Sequence, residues 1–134
     1  MAPTSDEGSR PLRTAIWVGV AGFFGAIARY GVAGLVSRVD EGFPWGTFVV
    51  NVSGCFLLGL LVAMFAHRFV VHPDLRVALT VGFLGAYTTF STFALETFEF
   101  GETHSAGLAV VNVVMSLATG LAAVWLGTAL GRSL

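Results

Sequence analysis

The chain has 134 residues, 55% of them hydrophobic and 11% charged, with a mean hydropathy of +0.81. A soluble domain carries about 25% charged residues, so the composition excludes an ordinary soluble globule and points to one small integral membrane domain. The formal net charge of −1 lacks the basic excess that nucleic-acid binding demands, which removes nucleic acid from the partners.

Residues 1–12 read as a polar N-terminal tail, with Pro3, Pro11 and mixed charge, and are expected to be disordered. Residues 13–134 form a single four-helix membrane domain. Its apolar runs cover roughly Thr14 to Val36, Phe43 to Ala66, Leu75 to Phe98 and Ala106 to Leu130. Each supplies the ~20 residues that a ~30 Å hydrocarbon core requires of a helix. Arg10 and Arg13 ahead of the first run imitate a signal peptide. The length of that run and the three that follow it assign it to a span instead. The breaks at 38–42, 68–74 and 99–105 are short, so neighbouring helices are expected to be antiparallel.

An even number of spans places both termini on one side. Arg10, Arg13, Arg68, Arg76 and Arg132 fall on that side, whereas Arg38 alone lies in a loop on the other. The positive-inside rule then predicts cytoplasmic termini, in a multi-pass protein of the cell inner (plasma) membrane. Cys55 is the only cysteine, which forbids an internal disulfide, and its apolar surroundings give it a packing role. His67, His72 and His104 sit at run ends as interfacial groups, and no metal-ligand spacing occurs. Without a nucleophile, base and orienting group in one cluster, the sequence does not read as an enzyme.

Small residues recur as Gly19, Gly22 and Gly25, as Gly54 and Gly59, and as Gly120, Gly127 and Gly131. Small side chains let membrane helices approach closely. Four short helices hardly enclose an aqueous path, so an oligomer is expected, most simply a dimer with the site at its interface.

The most unusual stretch is Gly82-Phe83-Leu84-Gly85-Ala86-Tyr87-Thr88-Thr89-Phe90-Ser91-Thr92-Phe93 in the third run. Glycines weaken a helix, and the hydroxyls compete for its backbone groups. Backbone that leaves the helix at bilayer depth is tolerated only where protein buries it or a cavity solvates it. The sequence therefore predicts a third helix broken at mid-membrane, and a site there. Other polar groups inside the runs are Arg29, Thr47, Asn51 and Ser53, Glu96, and the Asn112, Ser116 and Thr119 stripe. Each has a plain structural alternative: helix glue for the amides and hydroxyls, snorkelling for Arg29. Amide and hydroxyl donors, phenyl edges of positive character and Arg29, with no lone central carboxylate, favour a small anion. Freed carbonyls at the break suit a hard cation.

Three motifs carry a family resemblance: Gly25-Ala26-x-x-Arg29-Tyr30, Gly46-Thr47-x-x-x-Asn51-x-x-Gly54 and the string from Gly82 to Phe93. In these the chain resembles the small fluoride channels called Fluc or CrcB, over essentially all of its membrane domain. The resemblance implies an all-α integral membrane fold and an antiparallel dual-topology dimer with two fluoride pores. It places ring edges of Phe90 and Phe93 on the anion. Asn51, Ser91, Thr92, Glu96 and Ser116 stand beside the path, and Arg29 in the vestibule. It also implies a structural Na+ held by backbone carbonyls of Gly85 and Thr88. Ala86-Tyr87 departs from the family, many members of which carry glycine and a smaller or aliphatic residue here.

The resemblance further implies passive export of fluoride from the cytoplasm. The arginine skew sits awkwardly with insertion in both orientations. It leaves a homodimer and a heterodimer with an oppositely oriented paralogue both open, each in contact with membrane lipid. Two other functions compete. A small proton-coupled multidrug exporter of four helices needs an embedded acid in the first span, where this chain has only Arg29. A non-transporting membrane subunit would use the polar stripes as glue alone.

Overall fold

A computed structural model describes residues 5–38 and 43–134. The elements are α1 (Ser5–Val36), α2 (Trp45–His67), α3 (Pro73–Val77), a π-helical stretch (Ala78–Leu84), α4 (Gly85–Tyr87), α5 (Phe90–Thr103) and α6 (Ala106–Ser133). Four stretches are long and apolar enough to cross a bilayer: Arg10–Val36, Trp45–His67, Pro73–Thr103 and Ala106–Ser133. They match the four runs of the sequence, and the chain is an all-α, multi-pass membrane protein.

Two boundaries differ from the sequence reading. Helix α1 starts at Ser5 and continues through Pro11, so residues 5–12 extend the first helix rather than forming a disordered tail. Pro11 has no N–H to close its own ladder bond, so the turn before it is the least supported part of the helix. The last break is shorter than expected, because α5 runs to Thr103 and only His104 and Ser105 turn the chain. Ser105 then caps α6, its hydroxyl accepting from the Leu108 N–H at 3.2 Å. Of the first break, residues 39–42 lie outside the described residues.

The packing inverts that of a soluble bundle. Large apolar side chains such as Ile16, Phe23, Phe24, Leu121 and Trp125 face outward, while small ones make the helix contacts. Helices α2 and α6 share the most extensive contact. At Gly127 an added Cβ would collide with the Phe56 carbonyl of α2, so only glycine permits this approach. Helix α1 meets the third span in the same way, with Gly25 against the Phe83 backbone. Gly54, Gly59 and Gly131 also serve contacts inside the chain, while a Cβ at Gly19 would meet nothing within 4 Å. The glycines read from sequence as oligomer contacts are therefore mostly spent within one chain.

A small core of Val50, Leu84 and Tyr87 lies between α2 and the third span. The Tyr87 ring stacks on Phe83 with centroids 6.0 Å apart, and its hydroxyl meets Ser53 Oγ at 2.8 Å. That bond explains how a tyrosine fits where the family resemblance led us to expect a smaller side chain. At the membrane face carrying the N-terminus, buried Asp74 accepts from Arg13 Nε at 2.7 Å and from Thr14 Oγ1 at 2.6 Å, fastening α1 to the start of the third span.

The α2–α6 contact generates a prediction. Gly127→Ala should destabilise the protein by about 1–3 kcal/mol through overpacking, although alanine is the better helix former. Thermal unfolding in detergent micelles reads the change. A variant as stable as the parent would refute the close approach.

Candidate functional site

The third span changes character along its length. From Ala78 to Leu84 it is π-helical, a form frequent at functional sites. At Thr88 and Thr89 the backbone is extended, with φ/ψ of −84°/159° and −149°/119°, before α5 resumes at Phe90. The break expected from the sequence is present, and several of its loose ends find side-chain partners. In an unbroken helix the Thr89 N–H would donate to the Gly85 carbonyl. Here it donates to Asn51 Oδ1 at 2.8 Å, and Asn51 Nδ2 donates to the Thr89 carbonyl at 3.0 Å. One side-chain amide on α2 thus replaces the ladder bond lost by the Thr89 N–H and adds a second donor to its carbonyl, which as N-cap of α5 also accepts the first bond of that helix. The Thr89 hydroxyl caps α5 by accepting from the Thr92 N–H at 3.3 Å and donates to Thr92 Oγ1 at 2.9 Å. On the other side of the break, Thr88 Oγ1 donates back to the Leu84 carbonyl at 3.0 Å.

Gly54 makes this geometry possible. A Cβ there would collide with the Thr88 methyl, so α2 reaches the break only through glycine. Arg29 approaches from α1, its Nη1 lying 3.5 Å from the Thr88 carbonyl. Helices α1 and α2 therefore converge on the same two residues.

Beside the break lies a cavity of about 330 Å³ lined by Arg29, Thr47, Thr89, Thr92 and Glu96 among others. Glu96 Oε2 is buried there without a hydrogen-bond partner. Buried polar atoms are almost always partnered, which makes this oxygen an exception among the described residues. The structure thus brings Arg29, Thr92 and Glu96 into one cavity.

Phe90 and Phe93 lie just beyond it, ring centroids 6.0 Å apart and tilted by 48°. Phe90 is 79% exposed, and Ser91 and Thr92 are exposed with it. The Ser91 hydroxyl stands 3.5 Å from Thr89 Oγ1, so hydroxyls run from the cavity wall to the outward face of α5. Gly85 is also exposed, and a Cβ on it would meet nothing within 4 Å. Asn51 and Ser116 do not line the cavity. Asn51 is engaged at the break, and Ser116 Oγ bonds Asn112 Oδ1 at 3.4 Å on α6. Asn112 itself is buried and donates to Thr97 Oγ1 at 2.8 Å, tying α6 to the half-helix that carries the two rings.

Sequence reasoning passed over Thr89 and Thr97 as individual actors. Thr89 had a legible signal, since threonine is a preferred residue immediately before a helix start. Thr97 had none, because only the folded chain sets it opposite Asn112.

The chain matches the family model described as CrcB-like protein, Camphor Resistance (CrcB), over residues 16–128. It is 47% identical over 118 residues to the fluoride-specific ion channel FluC of Nitratidesulfovibrio vulgaris, covering 87% of this chain and 95% of that one. Identity to the protein of the same name from Acidobacterium capsulatum is 44% over 118 residues, covering 87% and 94% of the two chains. For the Geotalea uraniireducens protein, also so named, it is 40% over 124 residues, covering 92% and 100%. With the family model spanning nearly all of its membrane domain, and relatives matched almost end to end, the chain belongs to the CrcB-like protein family.

Proposed function

We propose that the protein is a fluoride-selective channel of the plasma membrane that lets the ion leave the cytoplasm passively. The observation that carries this reading is the break at Thr88–Thr89, which stands immediately before the Phe90 and Phe93 rings in a chain whose relatives are named fluoride-specific channels. A strongly hydrated anion needs each lost water replaced by a donor, weakly enough to leave again. Arg29 draws the anion into the cavity, and the Thr89 and Thr92 hydroxyls begin to replace its water. The Ser91 hydroxyl and the positive ring edges of the two phenylalanines continue the path. Glu96 sets a condition on this route, since an anion shares the cavity with it only when the carboxyl is protonated or its charge is offset. Ser116, on α6, supplies a later hydroxyl.

The same geometry supports a dimer. Exposed hydroxyls and backbone at membrane depth are costly in lipid, and Phe90, Ser91, Thr92 and Gly85 all open outward. A second copy, or an oppositely oriented paralogue, would cover them, giving an antiparallel pair with two pores. The carbonyls of Gly85 and Thr88 fit a central Na+. The Thr89 N–H that would occupy the Gly85 carbonyl is diverted to Asn51, the space beside Gly85 is open, and the Thr88 carbonyl has only the long Arg29 contact. A bound Na+ would supply fixed positive charge that holds these oxygens together.

Ion-selective electrode recordings of efflux, with a fluoride electrode for vesicles loaded with fluoride and a chloride electrode for vesicles loaded with chloride, test the reading. Fluoride should leave and chloride should not; vesicles that release neither ion would reduce the protein to a scaffold. Phe90→Ile and Phe93→Ile should each lower fluoride efflux about tenfold or more, the factor set by ~1.4 kcal/mol of lost ion stabilisation, with assembly intact by size exclusion. Unchanged efflux would remove the rings from the path. Asn51→Asp loses the bond to the Thr89 carbonyl and sets a negative oxygen against it, a cost of about 1–3 kcal/mol; conduction at the parent's rate would contradict the amide's role. The arginine skew favours insertion with cytoplasmic termini. Single cysteines placed at the two termini should then label from one side of the membrane only, and equal labelling from both sides would establish dual orientation.

A further inference from the structure

The proposed ion path leaves unused a second cavity, of about 380 Å³, at the turn between α2 and α3. Its walls include Arg68, Arg76 and His67 together with Phe65, Phe69 and Val70, and they contain no carboxylate. The nearby acid, Asp74, is already taken by Arg13 and Thr14. Arg76 is held in place: its Nη2 donates to the Phe65 carbonyl at 2.6 Å, and its guanidinium lies 5.7 Å from the Phe65 ring centroid. Among the described residues the Arg68 side chain makes no hydrogen bond or ion pair.

The turn joins the end of one span, at His67, to the start of the next, at Pro73. This sets the cavity at the level of lipid headgroups. Phe69 is 52% exposed and Val70 fully so, and apolar side chains presented at that depth enter the acyl boundary. We propose that this cavity binds the headgroup of an anionic phospholipid, with Arg68 and Arg76 on the phosphate and Phe65, Phe69 and Val70 along the glycerol and upper acyl chain.

The chemistry discriminates among lipids. A zwitterionic headgroup brings a cation as well as a phosphate, and the site offers no carboxylate to receive it. Of the two phenyl rings in the wall, Phe65 already carries Arg76. Free phosphate would meet the arginines but gain nothing from the apolar wall.

Native mass spectrometry of the whole protein, equilibrated with equal amounts of phosphatidylglycerol and phosphatidylcholine, tests the assignment without reference to ion flux. The parent should retain phosphatidylglycerol in preference. Arg68→Gln should lower the ratio about fivefold, the contribution of one basic residue at an anionic surface. Arg76→Gln should lower it similarly, and if that variant fails to assemble the exposed Arg68 decides alone. Arg132→Gln, on the same membrane face but outside the cavity, should leave the ratio unchanged. Equal retention of both lipids by the parent, or an unchanged ratio in Arg68→Gln, would overturn the proposal. Displacement of the retained lipid by millimolar inorganic phosphate would overturn it in favour of a free-anion site.

Discussion

The structure depends on one two-way hydrogen bond. A helix crossing a bilayer satisfies its backbone internally, and a gap in that ladder leaves polar groups in hydrocarbon at a cost of several kcal/mol each. Asn51 removes most of that cost at Thr89 by donating to its carbonyl and accepting from its amide. The third span can then extend through Thr88 and Thr89 at membrane depth, and α5 restarts with Phe90 and Phe93 presented at its first turn. Gly54 brings α2 close enough for the bond to form. An amide suits the task because it carries its donor and its acceptor on two separate atoms; an ionised carboxylate in its place has no donor for the Thr89 carbonyl.

Around this clamp the rest of the chain acts as support. Asn112 on α6 holds α5 through Thr97, whose own hydroxyl donates to the Phe93 carbonyl at 2.6 Å. Arg29 reaches the Thr88 carbonyl from α1, and Asp74 ties α1 to the far end of the same span. Glycine contacts set the helix spacing, which leaves the large apolar side chains for lipid. The polar groups of Asn51, Thr89, Thr97 and Asn112 are thus mutually engaged, while Phe90, Ser91 and Thr92 open outward.

Much of this was legible in the residues. The four apolar runs gave the spans, because hydrocarbon thickness fixes helix length independently of tertiary context. The glycine and hydroxyl content of residues 82–93 gave the break, because no plain spanning helix uses such a composition. What one sequence could not give was the pairing of polar groups across helices. Asn51 was legible as a polar residue beside the path, but not as the clamp of Thr89, and Asn112 was visible without its partner Thr97. The helical extension back to Ser5 was also hidden, since Pro11 and mixed charge argue locally for a break. The small-residue stripes misled in a specific way: small size reports close approach, and here most of that approach is to the same chain.

The central claim is that the third span opens at Thr88–Thr89 inside the bilayer. Solid-state NMR chemical shifts of protein labelled with carbon-13 and nitrogen-15 at threonine, tyrosine and phenylalanine, in lipid bilayers, report that backbone directly. The account predicts β-type shifts at Thr88 and Thr89 between helical shifts at Tyr87 and Phe90. Helical shifts at both threonines would contradict it.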